Sequence, residues 1–328
     1  MRKIIARLLF FILIVSSAKT QEMEKPFIIE HKSHKHKIDI INGTVYQQIG
    51  KYGTLYTTFH IFGSYNLNEN DKVFFNLSYT KGNGITIKTQ KEGYSFYTSA
   101  DDLENYLKNI NSTGRKYLLE AFYQKKLNKI TIIAGIIDST AFIDTNKFAN
   151  DEHTQFLNSF FINNPLVTLP SYNPGIYANI PISQKNSLSI LYMASNPDSG
   201  TVGILELKHI SKKHNFRVFY SKSFCSCSNN GLGLSYDITT NNKKGFFFRS
   251  GLSKNNYFLS GGLQIMNIWV KDKLSIGYAF LTNSSNPKAI EIYYLFHIND
   301  FSSLTFDIQY ISEKNSDYVY GSRFYIYF

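Results

Sequence analysis

Cysteine is nearly absent from this 328-residue chain: Cys225 and Cys227 are the only two, too few for a disulfide scaffold. Charge is sparse too, at 18% of residues against the usual quarter or so. No apolar run approaches the ~18 residues a spanning helix needs, which excludes a polytopic helical membrane protein. Mean hydropathy, −0.22, agrees. A Gly-rich phosphate loop, a His-Glu-x-x-His and a nucleophile elbow are all missing, so the expectation is no enzyme and no cofactor. An outer-membrane phospholipase would need a Ser–His pair on the outer face of a barrel, and His209 has no obvious Ser partner.

Aromatic residues, by contrast, are plentiful. They make up 16% of the chain, with 24 Tyr and 27 Phe inside an apolar total of 43%, which is incompatible with a disordered chain. What remains is an all-β protein with much aromatic surface, in water or in an outer membrane. Arg2, Lys3 and Arg7 precede the apolar run Leu8–Val15, and Ser16-Ser17-Ala18 follows with small residues where a signal peptidase reads. Residues 1–18 are therefore expected to be a secretory signal, 19–36 a periplasmic tail and 37–328 a single domain. The formal charge of +11 forms no stripe. Its lysines fall at turns (Lys125-Lys126, Lys212-Lys213, Lys243-Lys244), so no nucleic-acid partner is expected, and lipopolysaccharide or periplasmic contacts account for it more simply.

From Lys37 onward, segments of about ten residues alternate in character with period two, as a strand with two different faces requires. In Asp317–Phe328, Tyr318, Tyr320, Phe324, Ile326 and Phe328 share one parity, and Asp317, Gly321, Arg323 and Tyr325 the other. Phe301–Ile311 sets Leu304, Phe306, Ile308 and Tyr310 against Ser303, Thr305, Asp307 and Gln309, and Ala289–Ile298 repeats the scheme. Counting backwards gives sixteen segments, one of them at 257–270, an even number that suits a bacterial barrel with both termini in the periplasm. Two stretches break the rhythm. Residues 81–114 contain a helical signal at Ser99–Asn109, with Ser99 as its cap and Asp101 and Asp102 in its first turn. Residues 138–172 contain another at Asn150–Asn158. Connections this long are uncommon in compact domains and often functional, and both are expected to fold into a lumen and narrow it.

A soluble sandwich would carry many charges on its outer face, and here they are too few. In lipid, exposed backbone groups find no water, so strands must close on themselves with the apolar parity outward. The expected fold is a closed antiparallel transmembrane β-barrel of about 16 strands in the bacterial outer membrane, with Tyr and Phe near strand ends as interfacial girdles. Phe328, on the outward parity, looks like a C-terminal signal for the outer-membrane assembly machinery.

The segment Ile132–Asn164 resembles the carbohydrate-selective porin (OprB-type) family. A strand ending Gly135-x-x-Asp138 leads into a connection bearing Asp144, Asn146, Ala149–Glu152, Gln155–Asn158 and the pair Asn163-Asn164. Phe248-Arg249-Ser250-Gly251, Glu291-Ile292-Tyr293-Tyr294 and Asp307–Ile311 are similar to later strands of that family, although Phe306 stands where it usually has proline. The resemblance covers roughly residues 115–328. It implies a 16-stranded channel that passes small sugars by facilitated diffusion, with carbohydrate solutes and the lipid bilayer as partners. A general porin and a plugged structural or adhesive barrel are the alternatives. General porins often trimerise, and a homotrimer is a candidate assembly for which the sequence locates no interface.

Parity places Glu120, Arg217, Arg249, Glu291, Asp307 and Arg323 on the lumen face. A sugar is neutral and dense in hydroxyls, so Arg as donor and Glu or Asp as acceptor suit it. Tyr293, Tyr325, Phe219 and Phe247 share that parity and offer stacking faces. Barrel-wall ion pairing is the competing role for these charges. Asp138, Asp144 and Asn146 in the second long connection join the candidate constriction. Asp138, Asp144, Asp151 and Glu152 also raise a Ca²⁺ site, but their spacing fits no EF-hand loop, and no metal is expected. His31, His34 and His36, set among lysines, read as a solvated tail.

Overall fold

The computed structural model describes residues 35–195, 200–224, 230–240 and 243–328, and the expected signal, most of the expected tail, Cys225 and Cys227 lie outside them. Sixteen strands form one closed antiparallel barrel, each paired with its neighbours in the chain. They are β1 His36–Ile49, β2 Tyr52–Asn66, β3 Asp71–Lys81, β4 Leu118–Leu127, β5 Ile130–Ile137, β6 Asn173–Pro181, β7 Asn186–Ala194 and β8 Thr201–Ile210, followed by β9 His214–Phe224, β10 Asn230–Thr240, β11 Lys244–Ser253, β12 Asn256–Met266, β13 Asp272–Leu281, β14 Lys288–Asn299, β15 Ser302–Ser312 and β16 Ser316–Tyr327. Closure comes from β1 against β16, with Ile41 opposite Tyr327 and Ile49 opposite Val319. The sheet has no free edge, so every strand interior finds its backbone partners.

The two faces separate as the alternation demands. On β15, Thr305, Asp307 and Gln309 are buried while Phe306 and Ile308 are exposed. The apolar parity faces outward on all sixteen strands, through residues such as Leu205, Leu207, Ile276 and Ile292, with Tyr65, Phe224, Tyr257 and Tyr318 towards strand ends. Outward charges (Asp71, Lys81, Lys125, Lys222, Lys244, Asp272 and Lys288) stay within three residues of a strand end. The middle of the wall therefore presents an uncharged belt. Space for bulky interior side chains comes partly from glycine: a Cβ at Gly43 would overlap Tyr325, and one at Gly321 would overlap Asp307.

Most connections are short, and the two long ones follow β3 and β5 at the same rim and turn inward. Residues 82–117 hold a helix at Thr86–Lys91, which the sequence pattern did not signal, and one at Glu104–Leu107. The longer helix expected from Ser99 does not form, because Ser99 Oγ pairs with Tyr56 OH at 2.8 Å on the wall instead of capping. Asn150–Asn158 is likewise not helical. Asp151 accepts from His153 N and Thr154 Oγ1 in a turn, and Asn158 caps a helix at Ser159–Ile162 by accepting from Phe160 N. Strand β12 ends at Met266, short of the expected 270. Asn267 and Lys271 have positive φ, and Asp272 takes the Trp269 N–H, which leaves Trp269 and Val270 in an exposed turn.

The belt yields a depth-dependent prediction. Phe306→Arg, mid-strand on the outer face, should lower folding stability in vesicles by about 2–4 kcal/mol, whereas Tyr318→Arg near a strand end should cost about 0–1. Urea unfolding of the refolded barrel measures both, and equal costs would contradict an outward lipid face.

Candidate functional site

The interior charges are brought together by the connections that cover them. Lumen-facing groups on a barrel wall ordinarily meet water. Where a connection displaces that water, each must find a partner in the connection or remain a costly buried charge. Arg249, fully buried, donates from Nε to both Asp144 carboxylate oxygens (2.9 and 2.8 Å), from Nη2 to Asp144 O (3.1 Å) and from Nη1 to Phe161 O. Glu291, equally buried, accepts the backbone N–H groups of Leu157 and Asn158 at 2.7 and 2.9 Å. Glu206 takes Asp144 N at 2.9 Å, and Glu120 takes Asp138 N at 3.1 Å. Asn146 donates to Ser235 Oγ and Tyr236 O. Asp237, paired with Arg217 at 2.8 Å, accepts Lys147 N.

Arg323 donates to Glu152 O at 2.7 Å, lies 3.6 Å from Asp307 and covers the Tyr293 ring at 5.7 Å. Tyr293 meets Phe156 edge-on and donates to Gln264. Gln309 ties the two connections to one place on the wall, since its Oε1 accepts from Asn158 and its Nε2 donates to Thr98 O. Asp138 is half-buried and caps the turn at Ser139–Ala141.

Every sequence-derived constriction residue on a strand thus faces the interior, and Asp144 and Asn146 meet these strand residues there. Arg249, Glu291, Glu120 and Arg323 hold backbone of the connection in place, whereas Arg217, Tyr293 and Asp307 bond to other wall residues. The four carboxylates of the 138–172 connection do not converge. Asp144 is committed to Arg249 and Asp138 to Thr140. Burial pushes the Asp102 carboxyl up to about 8, where Tyr172 OH donates to it at 2.7 Å. His209, on the outer face, bonds Asn186 and stacks on His214.

Between the anchors the interior is apolar. Phe148, Phe156, Phe160, Phe161 and Ile162 of the second connection pack with Phe96 of the first against Phe247, Phe258, Tyr293 and Leu295 of the wall. The 138–172 connection leaves β5 at one rim and reaches nearly the other, where Lys147 Nζ lies 3.2 Å from Thr239 Oγ1, one residue from the end of β10. Lys37 and Asp39 of β1 pair at 2.7 Å with 49% and 29% of their side chains exposed, and Asp151 and Glu152 keep 22% and 26%.

Two substitutions test this anchoring. Glu291→Ala orphans two buried N–H groups, at about 1–3 kcal/mol each, and Arg249→Ala removes the guanidinium partner of the buried Asp144, at about 3–5 kcal/mol. Chymotrypsin should then cut at Phe156 and Phe160 faster than in the parent protein while the barrel keeps its heat-modifiable gel mobility. Unchanged cleavage would mean that the wall charges do not hold the connection.

No family model matches the chain. Among solved structures, a triple mutant of the Rhodopseudomonas blastica porin superposes with a TM-score of 0.66 at 9% identity, covering 89% of this chain and all of that one. A loop-deleted OmpT, an outer membrane protein of Vibrio cholerae, gives 0.62 at 9% identity over 90% of this chain and all of the other. Pseudomonas putida OprB at low pH gives 0.58 at 13% identity over 89% and 92%. These likenesses establish the porin fold. An uncharacterized protein of Aquifex aeolicus is 37% identical over 305 residues, which covers 90% of this chain and 96% of that protein. The chain belongs to the same family as that Aquifex aeolicus protein, and its barrel has the porin fold.

Proposed function

We propose that the protein is an outer-membrane channel for facilitated diffusion of small hydrophilic solutes, with small sugars as the preferred class. The observation that carries this reading is the closed cylinder, apolar outside and polar inside, whose lumen is narrowed by a connection anchored along nearly its full height. A narrow, fixed passage selects by size and by hydrogen bonding. Neutral sugars fit a lining of mixed sign such as Lys37, Asp39, Asp151 and Glu152, where single-sign rings would select ions. The OprB-type motifs at Gly135–Asn164 and the OprB structure among the fold's neighbours support the sugar preference.

The aromatic filling of the interior favours a second reading, a barrel plugged by its own connections. Planar-bilayer recordings separate the two. A channel shows discrete open steps that a panel of sugars reduces in a concentration-dependent way, and a plugged barrel shows none. In liposome swelling, uncharged monosaccharides should enter faster than amino acids of similar size. Equal rates would leave a general porin.

A further inference from the structure

Apart from these anchors, a second group of interior side chains brings two imidazoles and a carboxylate together. His60 on β2, Asp101 in the 82–117 connection and His153 in the 138–172 connection are 3%, 6% and 8% exposed. One ligand atom from each lies within 4.8 Å of the other two. His60 Nε2 is 3.8 Å from Asp101 Oδ1, and the two imidazole centroids are 5.2 Å apart. The chain folds these three from separate segments into one small volume walled by Phe62 and Tyr325.

We infer that His60, Asp101 and His153 form a site for one divalent transition-metal ion of the Zn²⁺ class, which clasps both inward connections to the barrel wall. Two observations beyond proximity point to a ligand. Asp101 Oδ2 and His60 Nδ1 are buried and have no hydrogen-bond partner, an expensive state that a bound cation would relieve. The donor chemistry is also selective, because two imidazoles and one carboxylate suit Zn²⁺, Co²⁺ or Ni²⁺ and not the all-oxygen shells of Ca²⁺ or Mg²⁺. Two donors each ~2.1 Å from a tetrahedral ion sit ~3.4 Å apart, so the group needs to contract by about an ångström. Outer contacts already orient His60: its Nε2 is 3.0 Å from Thr58 Oγ1, which in turn accepts from Thr80 Oγ1 at 3.0 Å. Such partners commonly fix a ligating imidazole. Three protein ligands leave the fourth position of a tetrahedral ion to a water.

The test uses the full-length barrel, folded in detergent and stripped with EDTA. Co²⁺ titration should give the intense visible absorption of a four-coordinate ion at one equivalent per chain, and Zn²⁺ should abolish it by displacement. Asp101→Asn and His153→Gln keep side-chain size. Each should weaken binding by more than the ~10-fold to 100-fold that an outer-shell partner is worth, with heat-modifiable mobility confirming that the barrel is folded. The double change His209→Ala with His214→Ala, and the triple change His31→Ala, His34→Ala and His36→Ala, should leave the stoichiometry and affinity as they were. No tight equivalent in the parent protein, or undiminished binding by folded Asp101→Asn and His153→Gln, overturns the site. Because binding is read without conductance, the outcome stands apart from whether the barrel conducts.

Discussion

Hydrocarbon accepts no hydrogen bonds, and almost everything in this barrel follows from that. A strand in the bilayer must have a partner on both edges, so sixteen antiparallel neighbours return to the first, with β1 pairing β16 over Ile41–Ile49. Once the cylinder is closed, the period-two pleat gives each residue one of two environments. Leu205, Ile292 and Phe306 go to the outer face, whereas Glu206, Glu291 and Asp307 go inside.

The same rule applies a second time within the lumen. The inward connections lack a regular ladder of their own, yet they enter a space from which their aromatic side chains expel water. Their backbone groups are satisfied by the wall: Glu291 for Leu157 and Asn158, Glu206 for Asp144, Glu120 for Asp138. Arg249 answers from the donor side with the carbonyls of Asp144 and Phe161. Buried charges of this kind are weak sources of net stability, because desolvation consumes much of the attraction. They are directional, however, and a directional contact gives an irregular connection one position. The apolar cluster around Phe156 and Phe161 supplies the burial, and the charges supply the register.

Much of this was legible in advance. Sixteen strands, the parity of each and the inward course of both long connections follow from the alternation and from where it stops. The boundary of β12 was missed because Ile268-Trp269-Val270 is apolar enough to imitate a strand, while the turn there depends on an Asp272 contact with Trp269 N that composition does not show. The helix expected from Ser99 was missed because a capping residue and a wall ligand look alike in a sequence, and Tyr56 had the stronger claim on its hydroxyl. His60, Asp101 and His153 carried no motif, because their proximity exists only after three distant segments converge.

The chain alone determined the two-faced cylinder, since alternation is a local property and lipid leaves one topology that satisfies it. Which interior charges meet water and which grip backbone was decided by tertiary structure. That outcome depends on how deep the 138–172 connection reaches, and its depth is set by the fit of Phe148, Phe156 and Phe161 against wall residues far along the chain, such as Phe247 and Tyr293.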